Sequence, residues 1–121
     1  MFENGKAIVF DRPNHASVTG IRLPTVDDES IVVRTRYSAI SSGTEMKVYA
    51  GLTGALDGNL WYPLIPGYEN VGEIVHLGGK VAGSRMPSGE NLKVGDRVMC
   101  NEVRRFPDHC SAWGGQVEYG I

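Results

Sequence analysis

The chain has 121 residues, near the commonest size of one domain, and can bury a single core. Its 12 basic and 14 acidic side chains give a formal net charge of −2, which argues against nucleic acid as a partner. A membrane-spanning helix needs about 18 consecutive apolar residues, and no apolar run in the chain is nearly that long. The first residues, "MFENGKAIVF", lack the cationic segment followed by an apolar core that marks a signal peptide. We therefore expect a cytoplasmic protein with no membrane partner, one domain over residues 1–121, and reduced thiols at Cys100 and Cys110.

The 16 glycines and 6 prolines divide the chain into short apolar segments, which is typical of mainly β structure. Segments rich in β-branched or aromatic residues predict six strands, at residues 6–10, 17–23, 31–38, 71–77, 97–100 and 116–119. Within the third, Arg34 and Arg36 alternate with Val33, Thr35 and Tyr37, as in a strand with one solvated face. Several short strands of this kind favour a barrel.

One segment, "TEMKVYAG" at residues 44–51, predicts a short helix. Thr44 is placed to cap its first turn, and Gly51 is placed to end it. Residues 78–92 combine glycine, serine and proline without periodicity, so they predict an exposed loop and not a second domain.

Four segments in this order carry a family resemblance: "YSAISSGTEMKVYAG", "YPLIPGYENVGEIVHLGGKV", "KVGDRV" and "WGGQVEY". Together they resemble the N-terminal GroES-like catalytic domain of the medium-chain dehydrogenase/reductase family, which includes the zinc-type alcohol dehydrogenases. The wording "SSGTE" with "YPLIPGYE" most resembles the branch that contains bacteriochlorophyllide a dehydrogenase. The resemblance spans nearly the whole chain and implies an irregular β-barrel with one or two short helices.

The resemblance also locates the family's catalytic zinc, and this chain departs from it there. Zinc-dependent members have a cysteine at the place of Ser41, a histidine at the place of Tyr68, and a glutamate at Glu69 nearby; a further cysteine comes from the second domain. Two ligands are therefore replaced by hydroxyl groups, which bind zinc poorly. Many members also hold a structural zinc on four cysteines, where this chain offers Cys100, Cys110 and, at most, His109. We expect neither zinc to be bound.

Tyr68 and Glu69 are the leading catalytic candidates, because they occupy the family's ligand positions. Tyr68 could donate a hydrogen bond to the oxygen that becomes negative during hydride transfer, or it could pack in the barrel with its hydroxyl satisfied. Glu69 could serve the reaction, or it could be a strand-entrance carboxylate bonded to backbone.

A hydroxyl cluster precedes the predicted helix. Ser41 and Thr44 are candidates for proton transfer and Ser42 for substrate binding, although such clusters more often serve as caps and turns. The family's usual relay hydroxyl corresponds to Gly43, so that role does not transfer. Trp61 is a further substrate-binding candidate, with core packing as its alternative.

No G-x-G-x-x-G motif follows a strand, so these residues contain no dinucleotide site. Two hypotheses remain. In the first, the chain is the substrate-side domain of an oxidoreductase, acting on a small alcohol or carbonyl compound with NAD or NADP bound by a Rossmann domain that is missing here. In the second, it is a free-standing, non-catalytic barrel that binds a ligand or a protein. The sequence is compatible with a homo-oligomer in either case.

Overall fold

The structure is a computed structural model that describes residues 2–52 and 60–121. In chain order its elements are β1 Asn4–Arg12, β2 His15–Arg22, β3 Ile31–Ser38, α1 Thr44–Tyr49, β4 Leu64–Ile65, β5 Asn70–Leu77, β6 Arg97–Cys100, β7 Cys110–Ser111 and β8 Tyr119–Gly120. The prediction of a mainly β chain with a short helix is confirmed. Strands β4 and β7 were not predicted, because two-residue strands carry no periodicity.

The strands form two four-stranded sheets. The first has the order β2-β1-β4-β7, with antiparallel pairs except for the parallel β4–β7 pair. The second has the order β6-β5-β3-β8 and is antiparallel throughout. Among the described strands no hydrogen-bonded ladder runs round both sheets to close a barrel.

Residues 116–118 join the two sheets. The amide of Ile8 donates to the Gln116 carbonyl at 2.9 Å, and Val117 forms a bridge with Ala7 on β1. From β3, the amide of Thr35 donates to the Glu118 carbonyl at 2.9 Å. The predicted strand at 116–119 is therefore wrong in extent, because this segment is shared between the sheets and only β8 continues as a strand.

A register shift changes the solvent face of β3. The pairing of β3 with β5 shifts between Thr35 and Tyr37, so the period of two is interrupted there. Tyr37 is 78% exposed, although the alternation predicted it on the face opposite Arg34 and Arg36. The predicted loop at residues 78–92 is confirmed as mostly exposed turns, with an isolated bridge between Arg85 and Asn91.

Two clusters of buried side chains make up most of the core, and Val32, Val33 and Ile74 of the second sheet are buried as well. The larger consists of Ala7, Val9, Ile21, Leu23, Ile65, Val103, Phe106 and Val117. The smaller consists of Phe10, Val48, Leu64, Cys110 and Ala112. Helix α1 contributes Val48 to the smaller cluster, where Val48 packs with Leu64 of β4 and Cys110 of β7. The core thus fixes α1 against the first sheet.

Candidate functional site

Tyr68 and Glu69 lie in the short connection between β4 and β5. Gly67 opens this connection with φ of +101°, and a Cβ at Gly67 would stand 2.7 Å from Cγ of Gln116. Any other residue would be strained by the positive φ and by the contact of its Cβ with Gln116, so glycine is required here. The Glu69 carbonyl accepts a hydrogen bond of 3.0 Å from the amide of Ala39, which ties the connection to the segment after β3.

A cavity of about 260 Å³, here called the serine cavity, lies between this connection and the chain that leads into α1. It is lined by Ala39, Ile40, Ser41, Ser42, Tyr68 and Glu69. Four of the six residues predicted for the site, namely the two serines, Tyr68 and Glu69, therefore share one cavity. The motifs that hold them are separated by about two dozen residues in sequence, so the fold brings them together.

Thr44 lines a second space of about 650 Å³, here called the central cavity, which also borders Tyr68 and Glu69. Its remaining lining residues are Met99, Asn101, Glu102 and Trp113. The prediction that Thr44 caps the helix is wrong, because Gly43 holds the N-cap position without a side-chain cap. The amide of Thr44 instead donates to Oγ of Ser41 at 3.3 Å.

Trp61 lies farther out, in a third space of about 800 Å³, here called the tryptophan groove. Trp113 and Glu102 line both this groove and the central cavity. The Trp113 ring meets the Tyr68 ring edge to face, with 5.8 Å between centroids. Trp61 therefore belongs to a space next to the Tyr68 site, with Trp113 between the two.

A buried carboxylate beneath the serine cavity was not predicted. Glu45 is 3% exposed, and its carboxylate accepts hydrogen bonds from the Ser41 amide and, at 3.2 Å, from Nε2 of Gln116. Nε2 of Gln116 also donates to the Ala39 carbonyl at 3.1 Å, and its Oε1 accepts from Ser38 Oγ at 2.6 Å. This network holds the backbone that carries the two serines. The sequence feature that could have indicated Glu45 is the segment "SSGTE", which places an acidic residue in the first turn of the predicted helix.

The polar ends of Tyr68 and Glu69 make no hydrogen bond to the part of the chain that the structure describes. Within residues 2–52 and 60–121, neither the Tyr68 hydroxyl nor the Glu69 carboxylate has a hydrogen-bond partner, and Glu69 is exposed. Both interpretations of Glu69, a group that serves the reaction and a strand-entrance carboxylate bonded to backbone, stay predictions. No hydrogen bond joins the Tyr68 hydroxyl to the Glu69 carboxylate either, although both line the same two cavities.

The side chains of the serine cavity do not fit a zinc ion. Zinc in proteins is held by thiolate, imidazole and carboxylate groups, usually four in a tetrahedron. The cavity offers one carboxylate, Glu69, and otherwise the hydroxyls of serine and Tyr68. In the part of the chain that the structure describes, no three or more His, Cys, Asp or Glu residues form a group that could hold a metal.

The two cysteines, which are the candidate sulfur ligands for a structural zinc, lie in different sheets. Cys100 ends β6 in the second sheet, whereas Cys110 begins β7 in the first. Burial raises the pKa of the Cys100 thiol, which favours the protonated thiol in this fold. His109 lines the tryptophan groove beside Cys110.

The comparison with protein families settles the family. Residues 27–121 match the family model described as the alcohol dehydrogenase GroES-like domain. This chain belongs to that family. The mainly β fold, with its two sheets and single short helix among the described residues, is therefore the GroES-like fold of a dehydrogenase-family domain.

Two curated relatives and one solved structure illustrate the range of this GroES-like family. D-arabinitol dehydrogenase 1 of Uromyces fabae is 30% identical over 95 residues, covering 78% of this chain and 23% of the relative. The 2-desacetyl-2-hydroxyethyl bacteriochlorophyllide A dehydrogenase of Cereibacter sphaeroides is 38% identical over 69 residues, covering 57% and 21%. A zinc-dependent alcohol dehydrogenase of Streptococcus pneumonia, in its apo form, shares the fold with a TM-score of 0.69 at 22% identity, covering 97% of this chain and 35% of that one.

The GroES-like chain spans only about a quarter of the length of these curated relatives. Residues 27–121, which match the family model, contain the serine cavity. In the described residues, no helix is both long enough and apolar enough to cross a lipid bilayer.

Proposed function

We propose that the chain is the substrate-side catalytic domain of an NAD(P)-dependent alcohol or carbonyl oxidoreductase that works without catalytic zinc. The observation that supports this best is the serine cavity, which is lined by Tyr68, Glu69 and two serines, and in which neither Tyr68 Oη nor the Glu69 carboxylate bonds to any residue that the structure describes. A polar cavity of this kind in a dehydrogenase-family domain is the expected setting for a substrate hydroxyl or carbonyl.

The chemistry assigned to Tyr68 follows from where charge builds up. Reduction of a carbonyl places negative charge on its oxygen, and a hydrogen-bond donor held at that oxygen lowers the barrier. A nicotinamide ring, when bound by a second domain, supplies the hydride. The Tyr68 hydroxyl donates to the developing alkoxide, in place of the zinc that other family members use. Its ring is held by the edge-to-face contact with Trp113, so the donor is positioned before substrate arrives.

The other side chains have supporting roles in this proposal. Glu69 accepts a hydrogen bond from a substrate hydroxyl or from Tyr68, which lines the same two cavities. Ser41 and Ser42 bind further substrate oxygens, and Thr44 meets the substrate from the central cavity. The names of the two curated relatives, a polyol dehydrogenase and a hydroxyethyl-pigment dehydrogenase, both describe oxidation of an alcohol.

Replacing Tyr68 by phenylalanine in the full-length enzyme tests the proposal. Tyr68→Phe removes one oxygen and keeps the ring packing on Trp113, so we expect kcat to fall by about 10² to 10³, the range for loss of one oxyanion donor. Glu69→Gln should cost less, because the amide keeps an acceptor oxygen. Steady-state kinetics and a thermal melt measure both variants.

Tyr37→Phe is the matched control, because Tyr37 is an exposed tyrosine on β3 that lines none of the three spaces described above. Its kcat should equal that of the unaltered enzyme. Near-normal turnover in a destabilised Tyr68→Phe protein would reduce Tyr68 to a packing residue. One tightly held zinc per chain, found by elemental analysis of the active enzyme, would overturn the zinc-free mechanism.

A further inference from the structure

Strand β2 is the longest open sheet edge among the described residues. It is an outer strand of the first sheet, and in the part of the chain that the structure describes its eight residues, His15–Arg22, pair only with β1. The other three outer strands, β6, β7 and β8, have four, two and two residues. A short edge strand is a common protection against pairing with another chain, and β2 lacks this protection.

The hydrogen bonds of β1 show which backbone groups of β2 face outward. The Ile8 amide donates to the Gln116 carbonyl at 2.9 Å, so the backbone groups of Ile8 point away from β2. Val18 is the partner of Ile8 in the β1–β2 register. Bonded and non-bonded pairs alternate in an antiparallel ladder, so this pair is non-bonded and the amide and carbonyl of Val18 point to the open edge. The same alternation directs the backbone groups of Ala16 and Gly20 outward.

The middle of this edge carries no charge. Residues 16–20, "ASVTG", are exposed and pair with β1 without a register shift, and they contain no lysine or proline, which commonly protect an edge. The charged residues at the two ends are bound to carboxylates of their own chain. His15 Nδ1 lies 2.5 Å from Oδ1 of Asp11, and the Arg22 guanidinium donates two hydrogen bonds of 2.7 Å to Asp108. Two copies of this strand can therefore meet without like charges in the middle.

An antiparallel copy of β2 can pair with this edge about a two-fold axis at Val18. Such an axis uses only the uncharged residues 16–20. An axis displaced toward either end of the strand would bring in charged Arg22, or the turn residue Asn14, whose amide already donates a bond of 2.6 Å within its own chain. The axis at Val18 is therefore the register that this strand favours.

The same register places apolar side chains together on one face and hydroxyl groups on the other. Val18 lies directly opposite Val18 of the second copy, and Ile8 lies beside it, so four β-branched side chains form one row across the axis. Val18 is 72% exposed in the single chain, so pairing removes apolar surface from water. On the opposite face, Ser17 meets Thr19 of the second copy, a combination that forms cross-strand hydrogen bonds.

We propose that β2 is a dimerisation edge, at which two copies of this chain pair antiparallel about a two-fold axis at Val18. Ala16, Val18 and Gly20 face Gly20, Val18 and Ala16 of the second copy and exchange about six backbone hydrogen bonds, two for each bonded pair. The result is one sheet that continues through both copies. The interface is small, so we expect Kd in the micromolar range. No residue of the serine cavity takes part, so the dimer is independent of the proposed reaction.

Cysteine cross-linking of the full-length protein tests the edge and its register. Bonded residues of an antiparallel pair have Cα atoms about 5.5 Å apart, which is within the range for a disulfide. Val18→Cys should therefore give a covalent dimer on a non-reducing gel after mild oxidation with oxidised glutathione. Gly20→Cys should cross-link far more slowly, because the two copies of Gly20 lie about 13 Å apart along the paired strands. Val94→Cys, at an exposed valine in the turn before β6, is the control, and the unaltered protein gives the background from the native cysteines.

Two charge variants test the same axis at equilibrium. Val18→Lys and Val18→Glu each place like charges directly opposite one another and lose the burial of Val18, so each should raise Kd for self-association by about tenfold or more. An equal mixture of the two proteins should regain dimers, because opposite charges then face each other. Sedimentation velocity at micromolar concentrations measures Kd, and Val94→Lys should leave it unchanged. Association through other parts of the protein is common to all variants and leaves the comparison intact.

The exposure of Val18 means that its variants should fold normally, which a thermal melt checks. Equal sedimentation of the unaltered protein and both charge variants would overturn the proposal. Cross-linking of Val18→Cys no faster than that of Val94→Cys would overturn it too. Faster cross-linking of Gly20→Cys than of Val18→Cys would place the axis elsewhere and contradict the proposed register.

Discussion

At the scale of single residues, the buried Glu45 carboxylate determines how the serine cavity is built. It accepts hydrogen bonds from the Ser41 amide and from Nε2 of Gln116, and both Glu45 and Gln116 are buried. An acceptor-only group suits two donors, which explains why an acidic side chain is tolerated at 3% exposure. The carboxylate thereby connects α1 to the segment that joins the sheets.

Glu45→Gln should therefore destabilise the protein although the two side chains have nearly the same shape. One oxygen becomes an NH₂ group that faces a donor, so one hydrogen bond is lost and a buried donor is left unsatisfied. We expect the free energy of unfolding to fall by about 1–3 kcal/mol. Urea denaturation followed by circular dichroism measures it.

Glu90→Gln is the control for this change, because Glu90 is exposed in the loop at 78–92. Its free energy of unfolding should change by less than about 0.5 kcal/mol. A Glu45→Gln protein as stable as the unaltered one would mean that the carboxylate is replaceable and does not determine the cavity wall.

Sequence reasoning reached Tyr68, Glu69, Ser41 and Ser42 because each stands in a recognisable motif. It did not reach Glu45 or Gln116, because a side chain's burial depends on contacts between distant segments. Glu45 is on α1 and Gln116 follows the last loop, 71 residues away. No local pattern states that those two segments touch.

At the scale of elements, the β4–β5 connection is the part whose geometry leaves least freedom. Gly67→Ala places a methyl group 2.7 Å from Gln116 Cγ and requires φ of +101° from a residue that disfavours it. We expect a stability loss of about 1–3 kcal/mol and a weaker hold on Tyr68, the next residue. Thermal unfolding measures the first, and kcat of the full-length enzyme measures the second.

Gly83→Ala provides the comparison, since its φ is not in the positive region and a Cβ there meets nothing within 4 Å. It should be neutral or slightly stabilising. If Gly67→Ala proved as harmless as Gly83→Ala, the connection would have room to relax, and Gly67 would not determine the position of Tyr68.

Elements were predicted best where a strand is long and flanked by turn residues. The limits of β3 and β6 agree with the prediction, and β5 differs by one residue. The failure at Tyr37 has a local cause, because a register shift interrupts the alternation that the prediction assumed. The segment at 116–119 failed because it divides its hydrogen bonds between two sheets.

At the scale of the whole molecule, the two hypotheses from the sequence differ in what the chain needs beside it. In the proposed function a second domain binds the nicotinamide cofactor, and the 121 residues contain no G-x-G-x-x-G after a strand. The 121 residues alone should therefore show no measurable affinity for NADH or NADPH. Calorimetric titration of this chain and of the full-length protein tests that expectation.

The full-length protein serves as the positive control and should bind one of the two cofactors with a micromolar Kd. Micromolar binding by the 121 residues alone would contradict the division of labour proposed here. Absence of binding by the full-length protein as well would contradict the proposed NAD(P)-dependent function.

The segment at 116–118 also affects how the protein is made. Its hydrogen bonds to β1 join residues about 110 positions apart, such as the Lys6 amide and the Glu118 carboxylate, and contacts of such range close late. A ribosome adds about 5–20 residues each second, so several seconds pass between the synthesis of β1 and the synthesis of residues 116–118. During that interval, the backbone groups of β1 that later bond to residues 116–118 have no partner in the nascent chain. We expect chaperones, or a neighbouring copy of the chain, to bind this edge of β1 at that stage.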